Sequence, residues 1–219
     1  MKNKKLSEED KIIRGVMQTY DEIAFHFSQT RDSPWPDVVE FLENLSGKVG
    51  LDICCGNGRH SELLSKCAEK VIGMDLSSMM LRETVQRGVG KNFEVIAVKG
   101  NSIRLPIKSE CVDIGVYIAA IHHLPTSEYR VDSLNELERV LSPDGIAIIG
   151  AWCTEHDRFE RGDGFDTIIN WKLPNGDLIP RYYHIYDMEE FEKEIKCSKL
   201  NVIETYVSRG NCYAIVGGS

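Results

Sequence analysis

The sequence predicts a doubly wound α/β domain. Three observations carry this: short apolar runs alternate with helix-length segments from residue 48 onwards, a glycine-rich turn follows the first run, and an acidic residue ends the second. Strands and helices that alternate at this length pair in parallel through right-handed crossovers, which covers both faces of one sheet. The expected strands are VGLDIC, VIGMD, FEVIAVKG, VDIGVYIAAI and GIAIIGAW. The expected helices are a segment through HSELLSKC, a second from Ser78 to about Arg87, and SLNELERVL. SPDG turns the last of these helices into the last strand, with Gly145 free to adopt a positive φ.

Both ends depart from this rhythm. Between residues 8 and 28, Ile12, Val16, Tyr20, Ile23, Ala24 and Phe27 recur at steps of three and four, the period of one buried helix face. DSPWP breaks that helix, because proline lacks a backbone donor and restricts its predecessor, and a short helix VVEFLENL follows. Beyond the core, about Thr154 to Tyr186 reads as loop. A helix DMEEFEKEIK and two strands, VIETYV and CYAIVG, then form an antiparallel pair joined by SRGN.

Bulk properties narrow the function. A chain of 219 residues with 42% hydrophobic content suffices for one core. No run approaches the ~20 apolar residues of a membrane span, and MKNKKLSEED lacks the apolar centre of a secretory signal, so a cytoplasmic protein is expected. The cysteines at 54, 55, 67, 111, 153, 197 and 212 form no C-x-x-C pair, so no metal is expected. A formal net charge of −8 excludes a nucleic-acid binder that uses its whole surface. A local basic patch remains open if the fold gathers Lys2, Lys4, Lys5, Arg31, Arg158, Arg161, Lys172 and Arg181.

The glycine turn, DICCGNGRH, is where chemistry first shows. Gly56 and Gly58 let the backbone approach a ligand, the helix start offers amide donors, and Asp75 stands where an acid receives the ribose hydroxyls of an adenosine cofactor. The spacing D-x-x-C-G-x-G, beginning at Asp52, resembles the first motif of class I S-adenosylmethionine-dependent methyltransferases, as does the order of elements. The resemblance implies a Rossmann-like, seven-stranded, mostly parallel sheet with a C-terminal antiparallel hairpin and an N-terminal helical extension. It divides a single domain, 1–219, into that extension (1–44), a cofactor-binding core (45–153), a substrate-side insertion (154–186), and a helix with the terminal hairpin (187–219). Cys54 stands where that family usually has glycine, so the turn must accept a thiol side chain. Asn101 stands where aspartate often meets the adenine amino group, with an amide oxygen able to accept the same bond. Ser102 and Ile103 would contact the ring, and Leu76 and Ala119 complete the expected cofactor set.

IAAIHHLPTSEYR brings His122 and His123 to the carboxyl end of the fourth strand, where ligands bind in open α/β sheets. Alternation along an extended segment directs one of them to substrate, His122 by preference. Thr126 or Ser127, with Glu128, starts the next helix.

Four segments together, YDEIAFHFSQTRDSPWP, IAAIHHLPTSEYR, RYYHIYDMEEFE and SRGNCYAIV, are similar to the tRNA wobble-uridine carboxymethyl methyltransferases. The resemblance implies S-adenosylmethionine as cofactor and the tRNA anticodon loop as partner, with the methyl ester of 5-carboxymethyluridine as product. It also implies a small zinc-binding activator protein at the edge strand FEVIAVKG. A carboxylate is ionised at pH 7 and needs no general base, only alignment and a cationic grip. Arg31, His122, Arg181, Tyr182 and Tyr183 are of the right type for that grip, and Asn211 would reach the pocket by resemblance. Trp35, Trp152 and Trp171 could stack on a base or pack the core. The chain lacks the N-P-P-Y of an amino-group methyltransferase. Two other readings stay open: a methyltransferase acting on a quinone, sterol or carboxylic acid, and a non-catalytic subunit that binds adenosylmethionine or RNA.

Overall fold

The computed structural model describes residues 7–159 and 162–218, and every structural statement below concerns these. Lys2, Lys4, Lys5 and Arg161 lie outside them. In chain order the elements are α1 (Glu8–Thr30), α2 (Pro36–Leu42), β1 (Gly47–Ile53), α3 (Ser61–Leu64), β2 (Ala68–Asp75), α4 (Ser78–Lys91), β3 (Ile96–Lys99) and β4 (Val112–Ile118). A 3-10 turn (Ile121–His123) follows, then α5 (Ser127–Val140), β5 (Leu141–Trp152), β6 (Phe165–Lys172), β7 (Leu178–Ile185), α6 (Met188–Cys197), β8 (Asn201–Ser208) and β9 (Asn211–Gly217). The main sheet runs β3-β2-β1-β4-β5-β9-β8; β1 to β5 pair in parallel, and β9 inserts antiparallel between β5 and β8.

Continuous apolar runs form the central strands because both sheet faces are covered. Leu51, Ile53, Tyr117, Ile149 and Ala214 pack on one face with Leu134, Leu137 and Phe191 of the helices. Val71, Ile114, Val116, Ile148 and Tyr213 pack on the other with Val38 and Leu42 of α2. Helix starts are fixed by side chains that accept a backbone N–H: Ser77 for α4, Thr126 for α5 and Asp187 for α6. The reversal between β8 and β9 uses Arg209 and Gly210, at φ 50° and 72°, the pair of positive values a two-residue hairpin requires. No helix among the described residues is long and apolar enough to cross a membrane.

Several local expectations are corrected. The helix through HSELLSKC shrinks to Ser61–Leu64, and the second extends to Lys91, where Asn92 at φ 58° ends it. SPDG lies within β5 as an irregularity opposite Val112 and Ile114. Gly145 does not adopt a positive φ; it is needed because a Cβ there would come within 2.7 Å of the Val112 carbonyl. Residues 154–186 are not simply loop, since β6 and β7 form a separate antiparallel hairpin from Phe165↔Ile185 to Lys172↔Leu178. The apolar-in, polar-out signal failed there because the inward set of β7 includes Arg181 and Tyr183, while Ile168 and Leu178 are exposed.

Candidate active site

Two adjoining cavities open at the carboxyl ends of the parallel strands. Cys54, Gly56, Asp75, Leu76, Asn101, Ser102 and Ala119 line the first from the strand ends, and Ile13, Val16, Met17 and Tyr20 line it from α1. It encloses about 870 Å³, solvent mouth included. The apolar stripe of α1, legible as a buried face, thus partly serves to cover this cavity.

Asp75 is the hinge of the first cavity. Its Oδ2 accepts the Gly56 N–H at 2.9 Å and its Oδ1 the Ser77 N–H at 2.8 Å. Each oxygen keeps a lone pair for a ribose hydroxyl. Burial pushes the Asp75 carboxyl up to about 6 despite those donors. Gly56, at φ 56°, leaves open space where a side chain would stand, with Phe27 Cε1 at 3.9 Å the nearest atom to a built Cβ. Thr84 of α4 holds the turn, its hydroxyl donating to the Gly56 carbonyl at 2.7 Å. Asn101 lines the cavity while its Oδ1 accepts the Ile103 N–H at 3.2 Å. An acid at the ribose position, a side-chain-free turn and an amide at the adenine position fit S-adenosylmethionine.

Cys54 and Ala119 both line this cavity with φ of 56°, a left-handed conformation that L side chains rarely adopt. The value at Cys54 explains why glycine suits that position, and strain of this kind concentrates at functional sites. Three expected cofactor residues do not line the cavity. Asp52 is buried and accepts from Ser61 Oγ at 2.6 Å, tying β1 to the start of α3, and burial pushes its carboxyl up to about 7. Gly58, at φ 77°, packs under α4, where a Cβ would press on Thr84 Cγ2 at 2.9 Å. Ile103 is also absent from the lining.

The second cavity, about 1120 Å³ with its mouth, shares Tyr20, Phe27, Arg59 and Ala119 with the first. Its cations are Arg31, Arg59, Arg158, Lys172 and Arg181, and no Asp or Glu lines it among the described residues. Arg181 is buried at 7% exposure, its Cζ 4.9 Å from the Trp171 ring centre and 5.1 Å from that of Tyr183. Its Nε is buried with no hydrogen-bond partner among the described residues. Arg31 also lies over Trp171, at 4.9 Å. Tyr183 stacks on Trp152 at 5.0 Å, and Trp152 stacks on His156 at 5.6 Å. Burial lowers Arg59 to about 10, which leaves it charged at neutral pH.

The histidines sit in the 3-10 turn rather than on an extended strand, because positive φ at Ala119 ends β4. They still separate. His122 Nδ1 accepts the Trp152 N–H at 3.1 Å, and burial holds its pKa well below the ordinary imidazole range. The ring is therefore neutral and its proton sits on Nε2, which is buried and unpartnered in a residue lining the second cavity. His123 bridges two elements: Nδ1–H donates to the Tyr182 carbonyl at 2.7 Å and Nε2 accepts from Tyr20 Oη at 2.8 Å. Burial lowers its pKa to about 3.

Tyr182 is a correction. Strand alternation turns its side chain away from both cavities, and its hydroxyl donates to Asp166 Oδ1 at 2.8 Å. Asn211 lines neither cavity; its Nδ2 donates to the Arg209 carbonyl at 3.1 Å, holding the hairpin turn. Trp35, Trp152 and Trp171 all line the second cavity. Arg59 and His156 were not anticipated from sequence. Arg59 follows directly on the glycine motif, which is the one signal that could have found it.

Comparison with known proteins agrees with this geometry. Residues 51–149 match the family described as "Methyltransferase domain". The mouse protein named tRNA (carboxymethyluridine(34)-5-O)-methyltransferase ALKBH8 is 40% identical over 65% of this chain. Proteins with the same enzyme name from Saccharomyces cerevisiae and Schizosaccharomyces pombe are 34% and 29% identical over 76% and 91% of it. The matched region spans 20% of the mouse protein, 59% of the S. cerevisiae protein and 94% of the S. pombe protein. Among solved structures, the DhpI–SAM–HEP complex superposes with a TM-score of 0.73 at 18% identity, covering 97% of this chain and 99% of the other. A putative methyltransferase from Haloferax volcanii, solved with the Trm112 methyltransferase activator, gives 0.67 at 14% identity over 93% and 97%. With the motif turn, Asp75 and the strand order in place, residues 51–149 match a methyltransferase domain, the chain has the fold of the solved methyltransferases, and it is similar to proteins named tRNA (carboxymethyluridine(34)-5-O)-methyltransferase.

Proposed function

We propose that this enzyme methylates the carboxylate of 5-carboxymethyluridine at the wobble position of tRNA, forming the methyl ester. The observation that carries the proposal is the second cavity: a cationic chamber without acidic residues among those described, in a chain of net charge −8, adjoining the cofactor cavity. Buried Arg181 calls for an anion, and a carboxylate or phosphate matches its fork of donors. The names of the homologues support the same substrate.

Bound S-adenosylmethionine supplies an electrophilic methyl group. Arg181 and Arg31 would hold the substrate carboxylate, and His122 Nε2–H would donate to it without adding charge. The carboxylate is already the nucleophile, so no residue need remove a proton, and rate enhancement rests on alignment in a chamber closed by α1 and the β6–β7 hairpin. Trp152, His156, Arg158 and Lys172, toward the mouth, suit a base and a phosphate of the anticodon loop.

We further propose that a small activator protein covers the β3 edge. β3 ends the main sheet with Ile96 54% exposed, and Val85 and Val89 of α4 stand exposed beside it. An apolar sheet edge of this kind pairs with another chain unless covered. The H. volcanii relative in fold was solved with such an activator. Methyl transfer to tRNA bearing 5-carboxymethyluridine, compared with tRNA bearing plain wobble uridine, tests the main proposal. Equal incorporation into both would refute ester formation.

A further inference from the structure

We propose that His184 is a positioning residue for the substrate cavity, clasping the β6–β7 hairpin to α6 so that Arg181 and Tyr183 point at the substrate. The inference rests on the assignment of the second cavity to substrate. The hairpin is a separate two-stranded sheet that meets the main sheet through the Cys153–Tyr186 bridge. A hairpin of two strands holds its shape poorly by itself, yet this one carries the buried cation of the site. Because side chains alternate, Arg181 and Tyr183 face the cavity and Tyr182 and His184 face the opposite side. Whatever fixes the second pair therefore sets the direction of the first.

His184 is 7% exposed and both ring nitrogens are engaged. Nδ1 lies 2.8 Å from Asp166 Oδ1 on the paired strand, and Nε2 lies 3.0 Å from Glu190 Oε2 on α6. Ionised carboxylates only accept, so this arrangement is fully satisfied when both nitrogens donate. Glu190 is anchored in turn, its Oε1 accepting from Arg130 of α5 at 3.2 Å, while Arg130 grips Glu194 with three further nitrogen–oxygen contacts at 3.1, 2.9 and 2.7 Å. Gly164 opens the path, since a Cβ there would collide with Glu190 Oε2. Tyr182 closes the network through Asp166. His184, Asp166, Glu190 and Arg130 line neither cavity, so the network acts through the strand and not on the substrate.

A double-mutant cycle in the full chain tests this, reading methylation of 5-carboxymethyluridine tRNA and, by calorimetry, S-adenosylmethionine affinity. His184→Ala should raise KM for tRNA about tenfold with cofactor affinity changed less than about twofold. The pair His184→Ala/Arg181→Ala should lose no more than about twofold beyond Arg181→Ala alone, because His184 acts through Arg181. Multiplied losses, or cofactor affinity falling in step, would overturn the proposal and leave a purely structural network. Should His184→Ala fail to fold, Glu190→Gln decides in its place, with about a threefold rise in KM and the same non-additivity expected. If Arg181→Ala itself transfers methyl groups at the full rate, the substrate assignment fails and the clasp with it.

Discussion

The cofactor cavity sets Asp75, Asn101 and the backbone of the glycine turn at strand ends, whereas the cavity proposed for substrate is lined mainly by guanidinium, imidazole and indole groups and by no carboxylate among the described residues. The two share a wall of Tyr20, Phe27, Arg59 and Ala119, yet only the first has a carboxylate, that of Asp75, in its lining. Asp75 lies on the side that would receive a sulfonium-bearing molecule, and Arg31 and Arg181 on the side proposed for an anion. Under the proposed assignment, Asp75 on one side and Arg31 and Arg181 on the other would keep each ligand in its own chamber, with the reacting atoms at the shared wall. Each half should therefore fail separately.

The largest expected effect is on the cofactor side. Asp75→Ala removes both ribose acceptors and frees the Gly56 N–H, and should weaken S-adenosylmethionine binding by about 100-fold or more in calorimetry. tRNA binding, measured by filter retention, should change little. Loss of both together would erase the separation of the two chambers. Next, Arg31→Ala should lower kcat/KM for tRNA by about 10- to 100-fold while cofactor affinity stays within about twofold. Acidification sharpens the contrast. Ribose hydroxyls need the ionised Asp75, whose pKa is raised to about 6, so cofactor affinity should be nearly flat above pH 7 and about tenfold weaker at pH 5. An affinity independent of pH over that range would contradict the assignment of Asp75. The smallest effect should be that of Tyr182→Phe, whose hydroxyl faces away from substrate: turnover should change less than about threefold. A large loss there, with Tyr183→Phe silent, would reverse the facing of β7.

The same contrast governs what the sequence made legible. Asp52 to Gly58 is one short segment with a fixed local geometry, so its spacing alone carries the resemblance that implies the cofactor. Position alone did not say which of those residues touch the ligand: Asp52 and Gly58 serve the turn and its packing. The second cavity is assembled from residues as distant as Tyr20 and Tyr183, and no local period encodes their meeting. β6 and β7 escaped because a strand whose inner face carries Arg181 lacks the apolar alternation by which strands are recognised. Strand alternation does not direct His122, which lies in a 3-10 turn; the Trp152 N–H bonded to its Nδ1 does.

The buried guanidinium of Arg181, with no carboxylate beside it in the cavity lining, has a consequence for turnover. Methylation converts an anion into a neutral ester, so in the proposed reaction Arg181 loses its counter-charge at the moment product forms. An uncompensated buried charge is unfavourable, and water or a fresh carboxylate would relieve it. In that reaction the chamber would grip acid and repel ester. Product release would be driven by the same group that captures substrate, and esterified tRNA should compete poorly with its acid precursor.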